Sequence, residues 1–117
     1  MDFEAAIQRH AEWKMKFRSA MAQHQALDPV IISKDNYCEL GKWLHREGKT
    51  KFGNLSSHAD CVSIHAAFHA EAGKVAQTIN AKNYVEAESM LESGTTYTNA
   101  ADKIAAAIMK LKNDAKL

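Results

Sequence analysis

The chain has 117 residues, 46% of them hydrophobic, with one proline, five glycines, two cysteines and a formal net charge of +1. These numbers exclude a disordered or collagen-like chain and describe one domain over residues 1–117, with enough apolar material for a core of its own. The near-zero charge gives no reason to expect a nucleic-acid or anionic-membrane partner, and no apolar run approaches the ~20 residues of a membrane span. The first residues lack the basic head and apolar stretch of a secretory signal, and two cysteines do not make a disulfide framework. A reduced, cytoplasmic setting is the expectation.

Helical periodicity dominates the chain. From Asp2 to about Leu27, residues Phe3, Ala6, His10, Trp13, Phe17, Ala20 and His24 recur at alternating spacings of three and four, while Glu4, Arg9, Glu12, Lys16 and Arg18 fall off that stripe. The pattern predicts a long amphipathic helix, stopped by Asp28-Pro29 because proline lacks an amide proton. Residues 29–33 are expected to be extended. A short second helix should follow from Ser33 or Asp35 to about Glu47, with Gly48 as terminator and residues 49–56 as a loop. Ser57-His58-Ala59-Asp60 has the pattern of a capping box. The helix it opens carries His58, Cys61, His65, Phe68, Ala72, Val75 and Ile79 on one face. After a break at residues 80–83, a last helix is predicted from Tyr84 to about Asn113, with Ala87, Leu91, Gly94, Thr98, Ala101, Ala105, Ile108 and Leu111 inward. The expected fold is all-α, an antiparallel four-helix bundle with one short helix (the second) and a buried metal site.

The metal expectation comes from inward-facing side chains. His65 and His69 are four apart, one helical turn above each other, so two imidazoles can converge on one ion. His10 stands in the middle of the first apolar stripe, and Cys38 lies on the short helix. Cys38 and His65 are roughly 12–14 Å along their helices from the loop between them, at ~1.5 Å rise per residue. His10 is about 26 Å from the end of its own helix, a length that an extended Pro29 segment can span on the way back. His10, Cys38, His65 and His69 therefore reach one level of the bundle. Three imidazoles and a thiolate form a tetrahedral donor set suited to zinc. Gly41, on the face of Cys38, costs ~1 kcal/mol against alanine inside a helix, and close approach of a neighbouring helix is its expected compensation. Trp13 and Trp43 are read as core residues first and walls of the site second. Cys61 could compete as a ligand, with core packing the better reading. His24 and His45 are read as helix-end or surface residues.

His10-Ala11-Glu12-Trp13, Cys38-x-Leu40-Gly41-x-Trp43 and His65-x-x-x-His69 together resemble the signature of the chemoreceptor zinc-binding domain, over nearly the whole chain. The cysteine segment is the most specific part. The resemblance implies a four-helix fold, a tightly held Zn²⁺ on His10, Cys38, His65 and His69, and a cytoplasmic input role in chemotaxis or cyclic-di-GMP signalling. It also implies an output signalling module, chemoreceptor or diguanylate cyclase as partner. In some relatives the zinc–cysteine bond is where oxidants such as hypochlorous acid act. Relatives usually carry an attached output module; the sequence is equally that of a stand-alone member or of a domain of a longer protein, and a homodimer is compatible with either.

Other bundle chemistries fit less well. A hemerythrin-like di-iron site needs carboxylates on the inward faces, and the stripes above contain none. A zinc hydrolase keeps an open coordination position and a nearby general base, whereas four donors and no inward acid are present here. The chain is therefore read as a sensory domain without catalytic residues, with a hemerythrin-like di-iron bundle or a purely structural zinc protein as the alternatives.

Overall fold

The computed structural model describes residues 1–117 and contains only helices and their connections. Eight helical segments follow in order: α1 Phe3–Ala11, α2 Trp13–Ala22, α3 Pro29–Ile32, α4 Glu39–His45, α5 Glu47–Phe52, α6 Ser56–Asn80, α7 Tyr84–Met90 and α8 Thr96–Asp114. They group into the four rods of the expected bundle: α1 with α2, the short α4 with α5, α6 alone, and α7 with α8. The longest is α6, which packs along α8 and also meets α2, α3 and α4. No helix is long and apolar enough to cross a membrane.

The stripes predicted from spacing form most of the core; in α8 the buried face is instead Tyr97, Ile104, Ala107, Ile108 and Leu111, with Thr98, Ala101 and Ala105 only half-buried. Phe17, Phe68, Ala72, Val75, Leu91, Ile108 and Leu111 are fully buried, as is Cys61, which packs without a polar partner. At roughly 1.5–3 kcal/mol per large apolar side chain removed from water, this one cluster dominates the stability of the fold.

Several boundaries differ from the sequence reading, each for a local reason. The first rod ends at Ala22, five residues before the expected stop. His24 takes a left-handed conformation at φ 52°, and the amides of His24 and Gln25 turn back to the carbonyls of Met21 and Ala20. This paired closure satisfies carbonyls that the helix end would leave free. Asp28-Pro29 consequently starts a helix instead of stopping one: Asp28 accepts the Ile31 amide at 3.2 Å, and Pro29 occupies the first turn of α3, where its missing N–H is not needed. The stretch expected to be extended is thus a single helical turn.

The short second rod is two helices broken at Arg46, and Gly48 lies inside α5 instead of ending a helix. The expected loop over residues 49–56 is therefore helical as far as Phe52. The α6 helix begins at Ser56, with Leu55 at its cap and no side-chain capping bond, so the predicted Ser57–Asp60 box does not form. The last rod is interrupted between Met90 and Thr96. Gly94 is exposed in that turn instead of facing inward. Thr95 caps α8 through a reciprocal pair: its hydroxyl accepts the Thr98 amide at 3.2 Å, and the Thr98 hydroxyl accepts the Thr95 amide at 3.1 Å.

Candidate metal centre

The structure brings His10, Cys38, His65 and His69 to one point, with one donor atom of each within 4.8 Å of the others. The Nε2 atom of His65 is 3.1 Å from that of His10 and 3.1 Å from that of His69. The Sγ atom of Cys38 lies 3.2 Å from His65 Nε2, 3.7 Å from His69 Nε2 and 3.9 Å from His10 Nε2.

Three donors come from helix interiors. His65 and His69 stand one turn apart on α6, their rings 4.5 Å between centroids. His10 comes from the last turn of α1, its ring 5.1 Å from that of His65. All three are buried, with His65 fully enclosed. The aromatic wall is Phe68, whose ring is 5.3 Å from His10 and 5.4 Å from His69. Trp13 and Trp43 are half-buried at the edge of the core, Trp13 on Phe17 and Trp43 on Phe3 and Phe52.

Cys38 arrives differently. It is the cap residue of α4, in extended conformation, and its sulfur accepts the Gly41 amide at 3.3 Å. Gly41 is required here for a reason other than the one predicted. A Cβ at this position would stand 1.7 Å from the Asp35 carbonyl oxygen, so it is the preceding loop, and not a neighbouring helix, that presses on it. Only a residue without a side chain lets the loop fold back and present the sulfur to the histidines.

The proton inventory decides what the cluster can hold. His10 donates from Nδ1 to the Ala6 carbonyl at 2.7 Å, and His69 from Nδ1 to the Ile32 carbonyl at 2.9 Å. Carbonyl oxygens only accept, so both Nδ1 atoms carry the proton, and in the neutral rings both Nε2 atoms turn lone pairs inward. Burial lowers the pKa of all three histidines, that of His65 to about 2, with the neighbouring imidazoles adding to the effect at His65. Burial likewise pushes the Cys38 thiol up, against the opposing pull of the Gly41 and Leu40 amides. A nest of neutral donors facing one another suits a cation that is not a proton.

The spacing fits as well. Bonds of about 2.0–2.1 Å to nitrogen and about 2.3 Å to sulfur place tetrahedral donors about 3.3 Å (N to N) and about 3.6 Å (N to S) apart. The three N–S distances, 3.2, 3.7 and 3.9 Å, straddle the second value, and the two N–N distances of 3.1 Å fall slightly inside the first. The carbonyls of Ala6 and Ile32 are the outer partners that fix ring orientation at such sites. Sequence reading missed both, because a main-chain carbonyl leaves no mark in residue type. Gly73 was the available clue to the second: a Cβ there would meet the Ser33 Cβ at 2.7 Å. The close approach of α3 to α6 that it permits delivers the Ile32 oxygen to His69.

The remaining singled-out residues stay outside the cluster. His58 is buried and bonds the Leu44 carbonyl at 2.9 Å, joining α6 to α4. His45 pairs with Asp35 at 2.9 Å, and His24 lies beside the Tyr84 hydroxyl at 3.2 Å, both exposed. Cys61 lies in the core.

Fold and donor set together define a helical-bundle domain with a His₃Cys centre able to hold a metal ion. A sequence model of the chemoreceptor zinc-binding domain matches residues 10–76, a span that includes all four donors, and the chain belongs to that family. Comparisons with curated proteins and with solved structures give no match.

Proposed function

We propose that the chain is a zinc-binding sensory domain in which His10, Cys38, His65 and His69 ligate one Zn²⁺. The observation that carries this reading is the convergence of inward-facing imidazole lone pairs and one sulfur, with two of the rings locked by main-chain carbonyls. The cluster includes no carboxylate, which favours zinc over a di-iron centre. Four protein donors fill a tetrahedral shell and leave no position for substrate, which favours a regulatory role over hydrolysis.

Bound zinc would hold Cys38 as thiolate, the form that oxidants attack. Cys38 is the only donor of the four that is both redox-active and anionic when bound. Its conversion to sulfenate would weaken the bond and free the Cys38 segment, and an output module of a chemoreceptor or diguanylate cyclase would read that change. In this reading the domain works in the cytoplasm, as a monomer or a homodimer, without nucleic acid or membrane as partner.

Elemental analysis of the purified chain tests the assignment, with one zinc per chain expected. In the cobalt-substituted protein a thiolate-to-metal charge-transfer band should be present and should vanish in Cys38→Ser. Iron in place of zinc, or a band that survives this substitution, would overturn it.

A further inference from the structure

Of the four donors only Cys38 is half-exposed, and the surface opens there. A cleft of about 120 Å³ runs along α1, from Met1 and Asp2 ahead of it to Arg9 and His10 in its last turn, beside the start of α4. It reaches Cys38 and His10 and is lined by Ala5, Ala6 and Leu40. Arg9 and Glu39 also line it, and their side chains join α1 to α4 through an ion pair of 3.0 Å. His65 and His69 do not line it, and a larger groove between α1 and α8 touches His10 alone among the four.

The volume sets a limit on what can enter. An apolar cavity of about 150 Å³ holds a benzene, so a cleft of about 120 Å³ encloses a molecule of about six heavy atoms. An aromatic disulfide or a tripeptide thiol is too large unless α1 and α4 part. Both partners of the ion pair are more than half exposed, at 59% and 75%, so the pair is a weak latch that opens readily.

We propose that this cleft is a size-selective passage to the zinc–thiolate bond, latched by Arg9 and Glu39, which admits small thiol-reactive molecules to Cys38 and excludes bulky ones. The proposal rests on the zinc–thiolate reading above for its physiological meaning, while the passage itself is testable on the metal-free chain.

The test uses the full chain, zinc-loaded and metal-free, with two reagents of different size. In the small one, methyl methanethiosulfonate, the Cys38 thiolate attacks the sulfenyl sulfur; a new S–S bond forms and methanesulfinate leaves with the electron pair. The bulky reagent is 5,5′-dithiobis(2-nitrobenzoate), and each rate is divided by that for free cysteine. Peptide mapping separates Cys38 from Cys61. The wild-type chain should favour the small reagent by more than tenfold. Arg9→Ala and Glu39→Ala should each speed the bulky reagent about two- to fivefold, as befits an exposed ion pair. Ala5→Phe should slow the small one at least tenfold. Lys14→Ala, in the α1–α8 groove, should change neither.

Equal normalised rates for the two reagents in the wild type would overturn the passage, with no variant needed. So would a Lys14→Ala effect as large as that of Arg9→Ala, or an unchanged rate in folded Ala5→Phe. A chain that holds no zinc but keeps the size preference would sink the zinc reading and leave the passage standing.

Discussion

The α6 helix and the segment around Cys38 each deliver donors to the same point, by opposite means. His65 and His69 sit mid-helix, where backbone bonds to neighbouring turns and the buried stripe of Phe68, Ala72 and Val75 fix their directions before any ligand arrives. Cys38 stands where a loop becomes a seven-residue helix, held by one amide bond from Gly41 and by the Asp35 backbone pressed against that glycine. In the proposed zinc site, a preorganised pair and a weakly held fourth donor would let one element set the geometry and the other change the state. The one thiol belongs to the element with less to hold it.

The largest expected effect comes from striking the rigid side. His65→Ala should lower zinc affinity by more than about 100-fold, beyond the range typical of outer-shell changes. Helicity should be kept, because the core cluster survives. Affinity within tenfold of wild type, measured by chelator competition, would mean that α6 does not define the centre.

Next is Gly41→Ala. The added methyl cannot coexist with the Asp35 carbonyl, so the loop must move, at a cost of about 2–3 kcal/mol in denaturant unfolding. The same variant should bind zinc more weakly although it leaves every donor in place. An unchanged unfolding midpoint would show that the loop yields freely.

A smaller, local change is expected from the thiol itself. Oxidation of Cys38 in the zinc form, or Cys38→Ser, should speed hydrogen exchange across residues 33–48 and leave α6 and α8 as they were. Uniform loosening of the whole bundle would contradict the division between the two regions.

A last test is pH. The metal-free chain should stay helical, since its segments bury their own apolar faces. The three histidine pKa values lie below the ordinary 6.5 in the fold, so the unfolded chain takes up more protons than the folded one on acidification. Their contribution is intact above about pH 6.5 and is lost progressively below it, for His65 down to about 2, with at most about 1.4 kcal/mol per pH unit from each ring. Metal-free stability that stays level between pH 6.5 and 5 would show the rings to be solvated.

What the sequence made legible follows from what periodicity records. Stripes at spacings of three and four report which face of a rod is buried, so the rods, most of the core and the convergence of the four side chains could be read in advance, while Tyr97, Ile104 and Ala107 lay off the predicted stripe. The cluster was legible because its three histidines are side chains of unusual type on buried helical faces, whereas Cys38, at the cap of α4, was found by residue type alone. Periodicity is blind to interruptions that preserve the stripe. The α7 and α8 helices each bury their share, so Leu91 and Ile108 look continuous across a turn that Ser93-Gly94-Thr95 could have signalled. Asp28-Pro29 is ambiguous in itself, since proline ends one helix by the same missing amide that suits it to begin another. The end of α2 depends on a left-handed histidine, a choice made by the chain closing on itself and not by residue type.

Asn80, the last residue of α6, accepts the Leu27 amide and donates to the Leu27 carbonyl, both at 2.8 Å. Its carboxamide thereby imitates a neighbouring strand for a piece of chain that has none. Hydrolysis of that single amide to a carboxylate would keep the acceptor and lose the donor, setting negative charge against the Leu27 oxygen. The tether it would loosen lies five residues before Ile32, whose carbonyl orients His69. A slow chemical lesion at the far end of α6 would thus reach the cluster through the main chain alone, with all four of its side chains unaltered.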